Sequence, residues 1–385
     1  MAFDHLRVAI IHHWLVARRG GEKVLEALCR ILPQADIFTL VCDPAVLCAP
    51  IKDHRITCSW IQKLPGAIRH YPYYVALFPL AVEDFDLFSY DLVISSDAAV
   101  CKGAITRPET CHICYCHSPM RYAWSAYPVY LNSIKGGLKR LVFSVTMHYL
   151  RQWDFAAASR VDYFVANSCN VATRIQKYYR RSATVIYPPV DIPNFDVSSD
   201  VQDYYLAAGQ LVPYKRFDLA VEAFNQLQRP LWIAGDGPEY QRLKRMARPN
   251  IQLLGSVSDK EWANLLSRCR ALIFPGEEDF GIVVVEANAC GRPVIALSRG
   301  GAAEIIDPEL NGLLFSDESV PSLIEAVQRF EAIEGRFAPT RIRETSLVFD
   351  EGRFRREFVR YVEQQLQQFN SAIPRSGFFG ARNKP

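Results

Sequence analysis

Short, almost wholly apolar segments alternate with helical patterns along most of this chain. The first of them, residues 6–11, is rich in β-branched side chains, and a glycine pair at Gly20 and Gly21 then opens a helical pattern. Strands that are apolar on both sides must be covered on both faces, so the alternation predicts parallel sheets layered between helices. The other strand-like segments are residues 36–41, 92–95, 110–116, 163–166 and 184–186, followed by residues 204–208, 231–234, 251–253, 271–274, 293–296 and 312–315.

Three prolines between residues 187 and 193 interrupt the alternation, because proline does not fit a central strand or a helix interior. With 385 residues to divide, we predict an α/β protein with two doubly wound, Rossmann-like domains that face each other across a ligand-binding cleft. The predicted boundaries are 1–187 for the N-terminal domain, 188–200 for the linker, 201–345 for the C-terminal domain, 346–371 for an amphipathic helix and 372–385 for a mobile tail.

Charge and cysteine content indicate which partner and which cellular compartment to expect. The first 190 residues hold 21 Lys and Arg against 14 Asp and Glu, so this half should prefer an anionic partner. The eleven cysteines are odd in number and lie in apolar runs, which argues against a disulfide framework and for a reducing cytoplasm. Because we find neither a signal-peptide pattern nor an apolar run of about 20 residues, we expect any membrane contact to be peripheral.

Residues 274–296 contain the most specific motif. They leave a strand, turn at Gly281 and enter a helix, whose free N–H groups and positive end suit a diphosphate. Glu278 lies on the turn and Glu286 eight positions later, so the two carboxylates could bind hydroxyl groups at either end of that diphosphate. For either glutamate alone, a solvated side chain is the simpler interpretation.

Taken together, these residues resemble glycosyltransferase family 4, which has the GT-B fold. Its signature is a Glu-x7-Glu pair around Phe-Gly, followed by a Cys/Ala-Gly-x-Pro-Val-Ile strand. The resemblance extends to about residue 365 and is strongest to the O-antigen and exopolysaccharide mannosyltransferases, through residues 116–124, 211–218 and 277–281. It implies a retaining, metal-independent transferase without a cofactor, in which residues 1–187 bind the acceptor and residues 201–345 the nucleotide-sugar donor.

The resemblance also implies roles for individual residues. His117, at the carboxyl end of an apolar strand, and Glu278 should contact the donor sugar, and Glu286 should bind the ribose. Lys215 should neutralise the departing diphosphate, where a fixed cation helps most. Gln210 stands where relatives have Arg, and Arg216 is the candidate replacement. The remaining donor contacts implied are Gly20 and Gly21, which close over the diphosphate, and the amides of Gly281, Ile282 and Val283.

Two metal sites can be considered and are disfavoured. Cys111, Cys114 and Cys116 could bind zinc, but no second cysteine pair follows, and strand alternation turns Cys111 away from the other two. Asp84 and Asp86 match the Asp-x-Asp that holds manganese in the other large glycosyltransferase fold, but they lie in an acidic turn outside the predicted cleft.

The partners are inferred from charge and from the resemblance. No acidic residue occurs between Glu109 and Asp154, where basic and aromatic side chains intermingle. This segment suits an anionic membrane surface, although an ordinary basic helix face is equally compatible with it. The lipid-linked acceptors of relatives favour a polyprenyl-diphosphate-linked saccharide and a location at the inner face of the cytoplasmic membrane. The expected donor is GDP-mannose, with a UDP-sugar second.

Other functions remain open at this point. A nucleotide-sugar epimerase of the same fold would need no acceptor, and a catalytically inactive sugar-nucleotide-binding protein is compatible with Gln210. A sugar phosphorylase would need a cofactor-lysine context that we do not find. Nucleic-acid binding is disfavoured, because the net charge is only +3 and no recognised module is present.

Overall fold

Two parallel sheets organise the computed structural model, which describes residues 3–372. The strands of the first sheet are β1 (Val8–His12), β2 (Asp36–Thr39), β3 (Ile56–Cys58), β4 (Leu92–Asp97), β5 (Cys111–Cys116), β6 (Tyr163–Ala166) and β7 (Ala183–Val185). Those of the second are β8 (Tyr205–Ala208), β9 (Leu231–Ala234), β10 (Ile251–Gly255), β11 (Leu272–Phe274), β12 (Val294–Leu297) and β13 (Gly312–Phe315).

Helices lie between most of these strands and cover both faces of each sheet. They are α1 (Gly20–Ile31), α2 (Ala49–Lys52), α3 (Ala67–His70), α4 (Phe78–Glu83), α5 (Tyr127–Ser133), α6 (Gly137–Ala157), α7 (Cys169–Tyr179), α8 (Phe217–Leu227), α9 (Tyr240–Met246), α10 (Asp259–Arg268), α11 (Ile282–Ala289), α12 (Ala302–Ile305), α13 (Val320–Ile333), α14 (Pro339–Ser346) and α15 (Glu351–Ala372).

The strand orders confirm the predicted fold class. The first sheet runs β3-β2-β1-β4-β5-β6-β7 and the second β10-β9-β8-β11-β12-β13, and the strand pairs are parallel. In each sheet the order reverses beside the first strand of the domain, between β1 and β4 and between β8 and β11. Such reversal points open a crevice at the carboxyl ends of the strands.

One strand is absent from the sequence prediction. β3 has only three residues, each half-buried, and it pairs with β2 at the edge of the first sheet. Its pairing, rather than an apolar run of its own, makes it a strand, so its sequence gives no periodic signal.

Buried side chains lie on both faces of the first sheet, as expected for parallel strands. One face packs against α1 and α15, with Leu28 and Phe354 in its core. The other packs against α4 and α6, with Val82 and Met147 in its core. The strands are therefore anchored from both sides, and their carboxyl ends are held in place.

The amphipathic helix at the carboxyl end returns to the N-terminal domain. Phe354, Phe358 and Val362 of α15 are fully buried against the first sheet, where both phenylalanine rings contact the Tyr115 ring. The chain thus crosses between the domains twice, and Val190 N donates to Phe349 O where the two crossings meet. The predicted mobile tail lies, from residue 373 onward, outside the described residues.

A helix that crosses a bilayer must be both long and apolar. Within residues 3–372, none is both long enough and apolar enough to cross a membrane.

Candidate functional site

The cleft brings together residues that follow the central strands of both sheets. On one side His12 ends β1, Ser96 lies near the end of β4, and His117 follows β5. On the other side Lys215 follows β8, and the turn that bears Glu278 follows β11. All five residues lie at the carboxyl ends of parallel strands, where sheets of this topology bind ligands.

A single hydroxyl connects the buried His12 and the half-buried His117. Ser96 Oγ lies 3.0 Å from His12 Nδ1 and 2.8 Å from His117 Nε2. Burial lowers the pKa of both imidazoles to about 3, so both are neutral. A hydroxyl between two neutral imidazoles donates to one ring and accepts from the other, which fixes both orientations. His12 ends its strand just as His117 follows its own, so the same positional signal could have identified it.

A buried charge network supports the backbone behind His117. Lys102 Nζ lies 3.1 Å from Asp97 Oδ2 and also pairs with Asp154, and all three side chains are fully buried. Burial opposes the Lys102 charge, but the two carboxylates raise its pKa well above the ordinary value. Because His117 N donates to Asp97 O at 2.7 Å, this network holds the strand end from which His117 projects.

The glycine pair allows the N-terminal domain to approach the donor side closely. A Cβ on Gly20 would lie 2.9 Å from Ile282 Cδ1 of the other domain. A Cβ on Gly21 would lie 3.6 Å from His12 Cε1 and 3.9 Å from His117 Nε2. The structure therefore places both predicted glycines at the cleft, where a side chain at position 20 would require the Ile282 side chain to move.

Lys215 and Glu278 form a half-buried ion pair inside the cleft. Lys215 Nζ lies 2.9 Å from Glu278 Oε1, and a Cβ on Gly209 would lie 2.8 Å from the same Nζ. Burial disfavours the ammonium, but the Glu278 carboxylate and Tyr214 raise the pKa of Lys215 above its ordinary value. The pair thus holds a permanent cation next to the carboxylate predicted to bind sugar.

The start of α11 faces the same space. Gly281 precedes this helix with φ of +91°, a left-handed conformation that disfavours other residues, and a Cβ there would lie 3.1 Å from Phe274 Cζ. The first amides of a helix have no intrahelical acceptor. Ile282 and Val283 begin the helix, so the three predicted phosphate donors lie together at its positive end.

Glu286 binds side chains from both domains. Lys23 Nζ from α1 lies 2.5 Å from Glu286 Oε1, and Trp262 Nε1 donates to Glu286 Oε2 at 2.8 Å. Lys23 and Trp262 also line an interdomain cavity of about 530 Å³. The sequence did not reveal this contact between Lys23 and Glu286.

Further ion pairs join the two domains across the cleft. Arg121 Nε lies 2.6 Å from Asp279 Oδ2, and Arg174 pairs with both Asp279 and Glu277. Glu304 of the C-terminal domain accepts from the first amides of α7, at 2.8 Å and 2.7 Å. The two acids that flank Glu278 in sequence thus bind the opposite domain, while Glu278 faces Lys215.

Arg216 is directed away from the Lys215–Glu278 pair. Its Nε donates to Asp218 Oδ1 at 3.1 Å, and its guanidinium pairs with Glu318. Gln210 accepts a hydrogen bond from Val212 N through its backbone oxygen. Arg216 was expected to replace the arginine that relatives have at position 210. Its guanidinium is instead bound by two carboxylates.

The structure also bears on metal binding. Cys111 packs in a different core from Cys114 and Cys116, and Asp84 and Asp86 lie on an exposed turn. Among the described residues, the set able to offer a cation three ligands is His12, His13 and Glu22, whose ligand atoms lie within 4.8 Å of one another. Its ring nitrogens His12 Nδ1 and His13 Nδ1 already contact Ser96.

The fold and the cleft together define a glycosyltransferase of the GT-B class. The same architecture occurs in Anabaena Alr3699/HepE in complex with UDP and glucose, with a TM-score of 0.66 and 16% identity, covering 93% of this chain and all of that one. The model of Glycosyltransferase Family 4 matches residues 18–193, and that of Glycosyl transferases group 1 matches residues 193–345. The chain therefore belongs to glycosyltransferase family 4.

Several curated relatives are similar to parts or all of the chain. Human "Alpha-1,3/1,6-mannosyltransferase ALG2" is 26% identical and is aligned over 90% of this chain and 93% of its own length. The "Uncharacterized glycosyltransferase MJ1178" of Methanocaldococcus jannaschii is 31% identical over 44% of this chain and half of its own length. A GDP-mannose-dependent monoacylated alpha-(1-6)-phosphatidylinositol monomannoside mannosyltransferase of Corynebacterium glutamicum is 34% identical over 30% of this chain and 34% of its own length.

Removing the hydroxyl between the histidines should slow glycosyl transfer. We expect Ser96→Ala to lower kcat about tenfold, or ~1.4 kcal/mol, with little change in the donor KM, because His117 loses the hydrogen bond that orients its ring. Ser95→Ala is the matched control, since Ser95 Oγ makes an equally buried contact of 2.9 Å with His112 Nε2. Equal losses in both variants would show that Ser96 acts through stability alone.

Proposed function

We propose that this family 4 transferase moves mannose from GDP-mannose to a polyprenyl-diphosphate-linked saccharide, with retention of configuration. The observation on which this rests is the half-buried Lys215–Glu278 pair beside the amino end of α11. The fixed cation and the helix start match the leaving diphosphate of a sugar donor. The carboxylate beside them matches the hydroxyls of its sugar.

In the proposed complex the donor lies with its diphosphate at the start of α11 and its sugar towards the N-terminal domain. Its diphosphate lies at the amides of Gly281, Ile282 and Val283, and its ribose binds Glu286 in place of Lys23. The sugar then extends towards Glu278 and His117. In this position Gly20 and Gly21 cover the diphosphate from the N-terminal domain.

Transfer on one face of the sugar needs no protein nucleophile. The bond between the anomeric carbon and the phosphate oxygen breaks as the acceptor oxygen attacks from the same side, and the departing phosphate takes the acceptor proton. Lys215 and the start of α11 stabilise the negative charge that develops on that phosphate. His117, neutral at working pH, and Glu278 position the electron-poor sugar. We propose that these groups make a metal ion unnecessary.

The choice of mannose and of GDP is supported by the relatives, several of which are named as mannosyltransferases. A UDP-sugar is the second choice, since a structural neighbour is described with UDP and glucose bound. The lipid-linked acceptor, and peripheral attachment to the inner face of the cytoplasmic membrane, are supported by the acid-free basic segment between Glu109 and Asp154.

Nucleotide binding tests the donor directly. We expect GDP to raise the melting temperature more than UDP or ADP, because GDP is the nucleotide of the proposed donor. A ligand present at 100 times its Kd stabilises the folded protein by about 2.7 kcal/mol. Glu286→Gln should lose most of this shift, as the ribose loses its charged acceptor. Glu318→Gln, which removes a carboxylate paired with Arg216, should retain it. A larger shift with UDP would replace GDP-mannose by a UDP-sugar.

A transfer assay tests the reaction itself. GDP-mannose is incubated with a synthetic polyprenyl-diphosphate-linked saccharide, and the anomeric configuration of the product is determined by NMR. Retention in EDTA-treated protein supports the proposal. An inverted product, or activity that returns only with added metal, contradicts it. Donor conversion without acceptor would indicate an epimerase, and GDP binding without turnover an inactive binding protein.

A further inference from the structure

The outer face of α6 is apolar and uncovered. Leu138, Leu141, Val142, Val145 and Tyr149 are 75%, 61%, 57%, 61% and 44% exposed. Their spacing of three and four residues aligns them in one stripe along the helix. At a rise of about 1.5 Å per residue the stripe is roughly 17 Å long.

The opposite face of α6 is firmly packed. Met147 and Leu150 are buried in the core of the first sheet, and the buried Asp154 pairs with Lys102. The helix therefore has a fixed orientation, and the stripe cannot turn inward without breaking that core. Contiguous exposed apolar surface of this kind marks an interaction site.

Positively charged residues lie at the amino end of α6, where they destabilise the helix. Lys139 and Arg140 lie in the first turn of α6, which contains no acidic residue, and Lys135 precedes the helix and is exposed. Cations near the positive end of a helix destabilise it. An anionic partner would offset this cost.

The geometry points to an anionic lipid surface as the partner of this face. We propose that the α6 stripe (Leu138, Leu141, Val142, Val145 and Tyr149) lies in the headgroup region of the membrane, with Lys135 and Lys139 on lipid phosphates. A second copy of the chain fits less well, because a two-fold contact would place this acid-free segment against itself.

The location of α6 connects this surface to the cleft. Arg151 of α6 stacks on the Tyr127 ring and donates to Ala123 O at 2.9 Å. The segment it supports follows His117 and includes Arg121, which contacts Asp279 across the cleft. The inference rests on the proposed lipid-linked acceptor for its choice of partner, and it adds the surface that would present the N-terminal domain to that lipid.

Vesicle sedimentation tests the proposal with the full chain. The wild type should bind vesicles of 70% phosphatidylcholine and 30% phosphatidylglycerol at least tenfold more tightly than pure phosphatidylcholine. Leu141→Glu with Val145→Glu should weaken this binding at least tenfold. Lys135→Glu with Lys139→Glu should remove most of the dependence on phosphatidylglycerol and on salt. The control Leu347→Glu with Val348→Glu alters an equally exposed apolar pair outside α6 and should bind like the wild type.

Two results would overturn the proposal. One is equal vesicle binding by wild type and the α6 variants while all keep the GDP-induced melting shift. The other is a lipid-free dimer, seen by light scattering, that these substitutions convert to a monomer. Failure of the proposed function is recognised separately, since wild-type protein would then bind anionic vesicles without transferring mannose to any lipid-linked saccharide.

Discussion

Replacing Glu278 by glutamine should lower kcat/KM for sugar transfer about 100-fold, or ~2.7 kcal/mol. The substitution keeps the shape of the side chain but removes the charge that strengthens its hydrogen bonds to sugar hydroxyls. It also weakens the 2.9 Å contact that orients Lys215 towards the leaving diphosphate. Steady-state kinetics with saturating acceptor would measure the effect.

The neighbouring acid provides the control for this experiment. Glu277 lies one residue away, but its carboxylate pairs with Arg174 of the opposite domain. We therefore expect Glu277→Gln to change the rate only a few-fold. If turnover by Glu278→Gln remained close to that of the wild type, Glu278 would not bind the donor sugar as proposed.

Replacing Lys215 by methionine should lower kcat by about 100- to 1,000-fold, the usual cost of losing one group that stabilises developing negative charge. Lys215 is the cation paired with Glu278 inside the cleft. Arg216→Met is the matched control, because the Arg216 guanidinium is bound by Asp218 and Glu318. We expect that variant to keep its activity within a few-fold.

Loss of stability must be separated from loss of chemistry in Lys215→Met. Without its partner, the Glu278 carboxylate is left uncompensated, so the melting temperature should fall. In the double variant Lys215→Met with Glu278→Gln we expect the melting temperature to recover and the activity to stay low. Recovery of activity in the double variant, or an equal loss in Arg216→Met, would contradict the role of Lys215.

Much of the fold could be predicted because the signals are local. Short apolar runs are typical of buried parallel strands, and the runs predicted from the sequence coincide with twelve of the thirteen strands. The exception, β3, depends on an edge pairing with β2. The positions of His117, Gly281 and Glu278 at the cleft could be predicted because each stands next to a strand end or a helix start.

The contacts among these residues could not be predicted. Ser96 lies 84 residues from His12 and 21 from His117, and Lys23 lies 263 residues from Glu286. No periodic pattern reports pairings of that separation. The acidic turn illustrates the difficulty, since Glu277, Glu278 and Asp279 are adjacent in sequence but have partners in different domains.

The amino-acid sequence by itself determined the two parallel-sheet domains and the motif with Glu278 and Glu286, because strand burial and helix starts depend on neighbouring residues. Only the tertiary structure decided that Ser96 joins two histidines, that Lys23 binds Glu286, and that one face of α6 stays uncovered. These features depend on which strand ends converge and which helix faces find a partner. That convergence follows from the packing of the whole chain.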